Sequence, residues 1–209
     1  GAKEADAGDC REDFNLGRLN ITWTEGYQKN TDGSPKLNER GNLVYDHLYS
    51  YGARSVSIWT ENATQTGLDL VWDSGDHFEQ HIAKNHPEIF NFNHEEAGLD
   101  NRSDNKGPEP EGVTVGKIGE KTFAFIGLER VGGVMVYDVS TPTKPIFVQY
   151  INSREFKADT NAIEAGLAGD LGPEGLVFIT AKDSPNGQPL LVVGNEVSGS
   201  TAIYQVTLK

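Results

Sequence analysis

The sequence has little of what several protein classes require. Its 209 residues include one cysteine, Cys10, so no disulfide can form within the chain. Hydrophobic residues make up 36% of the chain, which is enough for a core, but no apolar run is long enough to predict a membrane span. The opening residues GAKEADAGDCRED lack a signal peptide's basic start and apolar stretch, and with no initiator methionine we expect a chain that is already processed.

Basic residues are also scarce. The chain has 18 lysines and arginines against 31 aspartates and glutamates, which gives a formal net charge of -13. Because a protein that wraps a phosphate backbone needs a positive face, the composition predicts no nucleic-acid partner and favours cations or basic partners. Cys10 leaves two alternatives open: a reducing compartment, or an interchain disulfide with another polypeptide.

What the sequence does contain is an internal repeat. The segments 106–142 and 172–206 both begin around Gly-Pro-Glu and continue to Gly-x-Glu, with a tyrosine eight residues after that glutamate. At one constant offset, Gly127-x-Glu129 and Tyr137 map onto Gly194-x-Glu196 and Tyr204. A weaker third copy, GARSVSIWT with LDLVWDSG, has Trp59 in the place of Tyr137.

The best-defined repeat predicts four short strands joined by tight turns. The strands are expected at 113–117, 122–128, 134–139 and 146–150, and the Gly- and Pro-rich turns between them are typical of hairpins. Four antiparallel strands per unit are typical of a β-propeller blade. We therefore expect an all-β fold, a partial β-propeller of about two to three four-stranded antiparallel blades with a short helix and long loops inserted.

The repeat also sets the predicted organisation of the chain. We expect blade parts at 16–75, an insertion at 76–106, a blade at 107–150, a connector at 151–171 and a blade at 172–209. Propellers usually have about 4 to 8 blades, so this chain should not close into a ring alone. We therefore expect another polypeptide, or residues outside this sequence, to complete the propeller and cover its open strand edges.

The insertion predicts one short helix. Asp76 stands at the N-cap with Glu79 three residues on as in a capping box, and Pro87 stops the helix. Phe78 and Ile82 share one face. The segments 24–42 and 93–110 are predicted to be long polar loops, and the connector is predicted to hold another helical turn.

Five stretches together resemble one known family. They are YGARSVSIW, LVWDSGDHFE, DNRSDNKGPEPEGV, FAFIGLERVGGVMVYDVSTP, and GPEGLVFI with LLVVGNEVSGSTAIYQV. Over 16–206 the chain is similar to the mesenchyme-specific cell-surface glycoprotein family, whose bacterial relatives are described as choice-of-anchor I proteins. The resemblance implies a longer secreted or surface-anchored propeller with this region as its C-terminal half. It also implies calcium carbonate biomineralisation in animals and alkaline phosphatase-like or phytase-like activity in bacteria.

Three glutamates follow prolines where repeated strands begin: Glu109, Glu111 and Glu174. Pro-Glu-Gly can aim a carboxylate into the channel of a propeller while glycine lets the backbone pass close by. Oxygen ligands that converge from several blades suit Ca²⁺, although another divalent metal would also fit. If the segment is extended, Glu109 and Glu111 point the same way. The alternative is a turn in which the carboxylates cap backbone amides.

Further candidate ligands flank these positions. Glu129 and Glu196 occupy equivalent hairpin positions, where they either accept turn amides, pair with Arg130 or enlarge an anionic metal site. In the stretch DNRSDNK, Asp104 is a candidate metal ligand, while Arg102 and Lys106 are candidate phosphate contacts. As a plain solvated loop, the same residues need no function.

Two weaker patterns remain. His77 and His81 have the i, i+4 spacing of a zinc site, but HFEQH lacks the glutamate that the metalloprotease pattern requires, so a surface helix is the preferred interpretation. Asn20, Asn62 and Asn101 fit the glycosylation acceptor pattern.

Two functions are therefore compatible with the sequence. The first is a secreted or cell-surface acidic β-propeller that binds calcium in a surface or mineral-associated matrix. The second is a metal-dependent phosphoesterase that uses the same carboxylates with Arg102 and Lys106. An enzyme needs an enclosed pocket with phosphate-gripping cations, whereas a binding protein needs only an exposed anionic face.

Overall fold

The computed structural model describes residues 12, 15–52, 54–96 and 98–208. Cys10 lies outside these residues, so its interchain disulfide stays a prediction. The described chain forms two compact units. One contains the residues up to Gly52 together with Ser103–Lys106, and the other contains 54–102 and 107–208. The predicted blade boundaries stay a prediction as well.

The first unit is built from polar turns rather than from regular strands. Its backbone folds back on itself through isolated antiparallel bridges, among them Tyr27 with Tyr45 and Lys29 with Pro35. Asp32 closes one turn, because its carboxylate accepts hydrogen bonds from the amide (2.9 Å) and hydroxyl (2.6 Å) of Ser34. These hydrogen bonds lower the pKa of Asp32. The predicted loop at 24–42 is thus an ordered series of turns.

The second unit contains nine strands among its described residues. They are β1 (Ser57–Glu61), β2 (Leu68–Asp73), β3 (Pro110–Ile118), β4 (Lys121–Leu128), β5 (Val134–Asp138), β6 (Ile146–Ile151), β7 (Pro173–Ile179), β8 (Leu190–Asn195) and β9 (Ser200–Gln205). They form three antiparallel sheets, ordered β1-β2, β3-β4-β5-β6 and β7-β8-β9. The expected all-β, partial propeller-like fold is confirmed.

The internal repeat is also a repeat of hydrogen-bonding register. In the β4–β5 hairpin Gly127 lies opposite Val134, and in the β8–β9 hairpin Gly194 lies opposite Thr201. Strands β3 and β7 both begin with Pro-Glu-Gly, and in both the pairing shifts within this segment. The third sheet therefore repeats the first three strands of the second sheet.

The weaker third copy, which forms β1 and β2, matches the last two strands of the complete repeat, β5 and β6. The β1–β2 pair has a bulge just before Trp59, and the β5–β6 pair has one just before Tyr137. The first sheet therefore corresponds to the last two strands of a four-stranded unit. Within the described chain, only the second sheet has all four strands.

Two short helices accompany the strands. Helix α1 (His77–Asn85) is followed by a 3-10 turn at Pro87–Ile89, and α2 (Thr160–Glu164) lies in the connector. Both were expected. The capping box is wrong, because the Asp76 side chain caps no amide of α1 and Glu79 instead accepts hydrogen bonds from Arg54 (2.6 Å) and Asn91 (2.7 Å).

The core lies on both faces of the second sheet. On one face, Phe78 and Ile82 of α1 pack with alternate residues of β4 and β5; this cluster includes Ala124, Ile126, Leu128, Met135 and Tyr137. On the other face, the intervening residues pack against β8: Phe123, Phe125, Val134 and Val136 with Leu191 and Val193. Because β4 is covered on both sides, its sequence is a continuous apolar run rather than an alternating one.

Strands β3 and β7 approach each other closely. Any side chain at Gly112 would overlap with the backbone carbonyl of Glu174, and one at Gly116 would overlap with the ring of Phe178. These glycines are therefore required by space, since neither has a positive φ. Their small size brings the two Pro-Glu-Gly segments together.

Gly112→Ala should lower the free energy of unfolding by about 2 kcal/mol, because the added methyl group meets a backbone oxygen that cannot rotate away. The matched control is Gly175→Ala, since the equivalent glycine of β7 has open space where the methyl group would lie. Urea unfolding of both variants measures the difference. Equal losses in the two variants would contradict the close approach of β3 and β7.

Candidate functional site

The repeated units place five glutamates at equivalent ends of their strands. Glu109 precedes β3 and Glu111 lies within it, while Glu129 follows β4. In the next strand repeat, Glu174 lies in β7 and Glu196 follows β8. Each turn glutamate is held by its backbone: the amide of Glu129 donates to the carbonyl of residue 109 (2.9 Å), and that of Glu196 donates to the carbonyl of residue 172 (2.8 Å).

The side chains of these glutamates converge. Carboxylate oxygens of Glu109, Glu111 and Glu129 lie within 4.8 Å of one another. The carboxyl groups of Glu111 and Glu129 are also close enough to hydrogen-bond, as are those of Glu174 and Glu196. We call this group of five the glutamate cluster. Glu109 and Glu129 are buried, whereas the other three are exposed, so the cluster has a buried floor and an open side.

The floor of the glutamate cluster is the carboxylate of Glu109, which is 4% exposed. Its Oε2 atom accepts hydrogen bonds from Arg130 Nε (2.6 Å) and Arg102 Nη2 (3.0 Å). The backbone of Glu109 has a φ of 56°, a left-handed conformation that is strained for a residue with a side chain. Gly172, with a φ of 71°, occupies the equivalent position in the next strand repeat. The segment is therefore not extended, and Glu109 and Glu111 meet because the chain turns.

Arg130 connects the floor to its surroundings. Besides Glu109, its guanidinium binds Glu129 Oε1 (3.1 Å) and contacts the ring of His94, 3.1 Å from Nδ1. The backbone carbonyl of Arg130 accepts a hydrogen bond from the buried Arg154 (3.2 Å), which also binds the carbonyl of Asn93 (2.8 Å). Two arginines thus fix the loops on which the buried carboxylates lie.

Burial and neighbouring negative charge raise the pKa values of two glutamates in the cluster. Burial raises the pKa of Glu129 to about 7; Arg130 opposes the rise, while Glu111 and Glu196 reinforce it. The charge of Glu196 and a hydrogen bond between the two carboxyl groups raise the pKa of Glu174. Burial, and then the charge of Arg130, lower the pKa of His94, which favours a neutral ring. Near pH 7, Glu129 is therefore only partly ionised.

The predicted phosphate contacts have other partners. Arg102 binds Glu109, and the Lys106 side chain lies against Gly52 in the first unit. Asp104 also belongs to the first unit, where its carboxylate lies 3.9 Å from Arg18 and its carbonyl accepts hydrogen bonds from Asn20. Of the six candidate metal ligands, the glutamate cluster contains all except Asp104.

The histidine pair lies in an aromatic cluster. The Nδ1 atom of His77 is 2.5 Å from the hydroxyl of Tyr137, and the ring of His81 packs against Phe147 with 4.6 Å between centroids. Burial lowers the pKa of both histidines. Among the described residues, the carboxylates of Glu109, Glu111 and Glu129 form the group with metal-ligand spacing, and these histidines are not part of it.

The three glycosylation candidates differ in accessibility. Asn20 is exposed, whereas the Asn62 side-chain oxygen accepts hydrogen bonds from Thr64 (3.0 Å) and the Thr66 amide (3.0 Å) within a turn. The Asn101 side chain donates to Glu96 (2.9 Å) and accepts from the Asn93 amide. Their modification stays a prediction.

Sequence reasoning missed His94 and Arg154, and it gave Arg130 one partner where the structure gives it three. The chain itself offered one signal: Arg130 directly follows a repeated glutamate, whereas the equivalent position after Glu196 is Val197. A residue that breaks a repeat beside a conspicuous carboxylate is a candidate for a specific ion pair.

Comparison with known proteins identifies the family of this chain. The family model for the choice-of-anchor I domain matches residues 3–142. The chain belongs to the choice-of-anchor I family. This confirms the family resemblance carried by the five sequence stretches, and no solved structure matches the chain.

Two relatives extend the comparison. Gigasin-3a from Magallana gigas is 29% identical over 204 residues, which cover 94% of this chain and 66% of the relative. The mesenchyme-specific cell surface glycoprotein of Strongylocentrotus purpuratus is 25% identical over 169 residues, covering 76% of this chain and 22% of that protein. The chain thus spans only part of the length of either relative. In the part of the chain that the structure describes, no helix has the length and apolar character needed to cross a membrane.

Glu109→Gln should destabilise the protein by roughly 2 to 4 kcal/mol, because Arg102 and Arg130 would lose the charge that neutralises them in a largely buried place. The control is Glu120→Gln, since the Glu120 side chain is 99% exposed and should contribute almost nothing. Urea unfolding measures both. A Glu109 variant as stable as the control would show that the arginines do not depend on this carboxylate.

Glu129→Gln should make the metal-free protein more stable at pH 8 than the parent, with a smaller difference at pH 5. A carboxyl group with a raised pKa stabilises the fold while it is protonated, and it loses that contribution as pH rises through about 7. The measurement is the parent-minus-variant difference in unfolding free energy at the two pH values with a chelator present. The difference cancels the opposite pH dependence of His77 and His81, whose pKa values are lowered by burial. A difference that does not change with pH would contradict the raised pKa.

Proposed function

We propose that this protein is a cell-surface or matrix protein that binds calcium through the glutamate cluster. The observation that carries the proposal is the convergence of five carboxylates from two repeated strand-turn units. The name of the Strongylocentrotus purpuratus relative, a cell surface glycoprotein, supports the location. The net charge of -13 supports a cationic ligand.

The donor set fits a calcium ion. Two oxygens on opposite sides of Ca²⁺ are at most about 4.8 Å apart, since each lies about 2.4 Å from the ion. The oxygens of Glu109, Glu111 and Glu129 fall within that limit. Because the Glu109 carboxylate is already neutralised by two arginines, we assign the ion to Glu111 and Glu129, with Glu174 and Glu196 closing the open side.

Binding is favoured over phosphoester hydrolysis by the arrangement of cations. An enzyme of that kind needs positive groups free to grip phosphate beside the metal. Arg102 and Arg130 both bind Glu109, and Arg130 also binds Glu129. Phosphate would therefore have to replace buried ion pairs and approach a strongly negative surface.

Calorimetric titration of Ca²⁺ into chelator-treated protein tests the proposal. We expect one site, with affinity reduced about tenfold or more in Glu111→Gln and in Glu174→Gln, because each removes an oxygen ligand and a negative charge. Glu120→Gln is the matched control for loss of one surface charge. Urea unfolding verifies that each variant is folded.

Two outcomes would count against this function. If both cluster variants bind Ca²⁺ like the parent, the carboxylates are structural. If the protein hydrolyses p-nitrophenyl phosphate and a chelator abolishes the turnover, binding alone is an incomplete account and the phosphoesterase becomes the better hypothesis.

A further inference from the structure

The third sheet stops one strand short of the second. Strands β7, β8 and β9 repeat β3, β4 and β5 in order, but no described residue forms a counterpart of β6. Strand β9 is therefore an edge strand that pairs only with β8. An open edge is a template for another strand, and stable proteins cover or blunt it.

The free side of β9 presents a row of backbone hydrogen-bonding groups. The amide of Val206 donates to the carbonyl of Pro189 (2.9 Å), so alternation along the antiparallel ladder turns every second residue toward β8. The residues between them, Thr201, Ile203 and Gln205, direct their amides and carbonyls outward. In the described part of the chain, these outward groups have no backbone hydrogen bond.

An apolar groove lies directly beside this edge. It has a volume of about 450 Å³, and its walls come from β4, β5 and β6 on one side and from β8, β9 and the residues after β9 on the other. Val148 and Ile151 of β6 line it together with Tyr204 and Val206. The groove thus lies between β6 and the C-terminal end of β9.

The outer face of the third sheet continues the same pattern. Val177, Val192 and Ile203 pair directly across the three strands, and Val177 and Ile203 are exposed. A strand beside β9 would add a fourth residue to this row and would place its alternate side chains in the groove. Both faces therefore favour apolar side chains.

We propose that an extended segment of polypeptide from outside these 209 residues binds antiparallel to β9 as the missing fourth strand. The repeat supports this occupant, because the complete sheet has a strand at that position. Length supports it too, since the sequence shared with Gigasin-3a covers only 66% of that relative. A second copy paired through β9 is the alternative occupant, and the test below distinguishes the two.

The test uses a fluorescent peptide, KPIFVQYIN, which copies residues 144–152 and so contains β6, the fourth strand of the complete sheet. Ile203→Pro removes an outward amide without breaking the β8–β9 ladder, and Val148→Asp places a charge in the groove. Ile146→Asp is the matched control on β6, because Ile146 is exposed but does not line the groove. We expect the parent and the control to bind the peptide about tenfold more tightly than the two test variants.

Each other outcome overturns the proposal. No binding to the parent, equal binding to all variants, or equal binding of a scrambled peptide would show that the edge takes no strand. A concentration-dependent dimer that Ile203→Pro abolishes would assign the edge to a second copy instead. If Ile203→Pro does not fold, hydrogen exchange decides, because the Ile203 amide of the parent should be protected only with the peptide bound.

Discussion

The close approach of β3 and β7 is the constraint on which the candidate site depends. It is possible only because Gly112 and Gly116 leave room for the backbone of Glu174 and the ring of Phe178. Once two Pro-Glu-Gly segments lie this close, their carboxylates must share a small volume, and burial strengthens their repulsion. Burial is the main cause of the raised pKa of Glu129, and the charge of Glu196 is the main cause of the raised pKa of Glu174; the charge of Glu111 contributes to both.

The two repeated units contribute unequally to the site. Gly172 adopts its left-handed conformation without strain, whereas Glu109 holds a similar conformation with a side chain attached. Strain of about 1 kcal/mol persists only where surrounding interactions outweigh it. Here the outweighing interactions are the ion pairs with Arg102 and Arg130. The β3–β6 repeat thus supplies the buried, neutralised carboxylate of Glu109, and the β7–β9 repeat supplies the exposed carboxylates of Glu174 and Glu196.

The sequence predicted the fold better than it predicted the site. Turn glycines and prolines located β4 and β6 to within one residue at each end, because hairpin geometry is encoded locally. The repeat predicted which glutamates are equivalent. It did not foretell the turn at Glu109, since a positive φ at a glutamate is rare and depends on distant arginines. His94 and Arg154 reach the site from loops with no repeat, so only the tertiary fold brings them there.

The charge balance of the glutamate cluster explains why its buried floor and its open side have different roles. Five carboxylates face two arginines, and both arginines lie on the buried side, where they neutralise Glu109 and part of Glu129. The excess negative charge therefore falls on the exposed carboxylates of Glu111, Glu174 and Glu196. Protonation of the neighbouring Glu129, whose pKa is raised to about 7, relieves part of the repulsion below that pH. If the proposed function is correct, a divalent cation bound by the glutamate cluster offsets the repulsion above that pH.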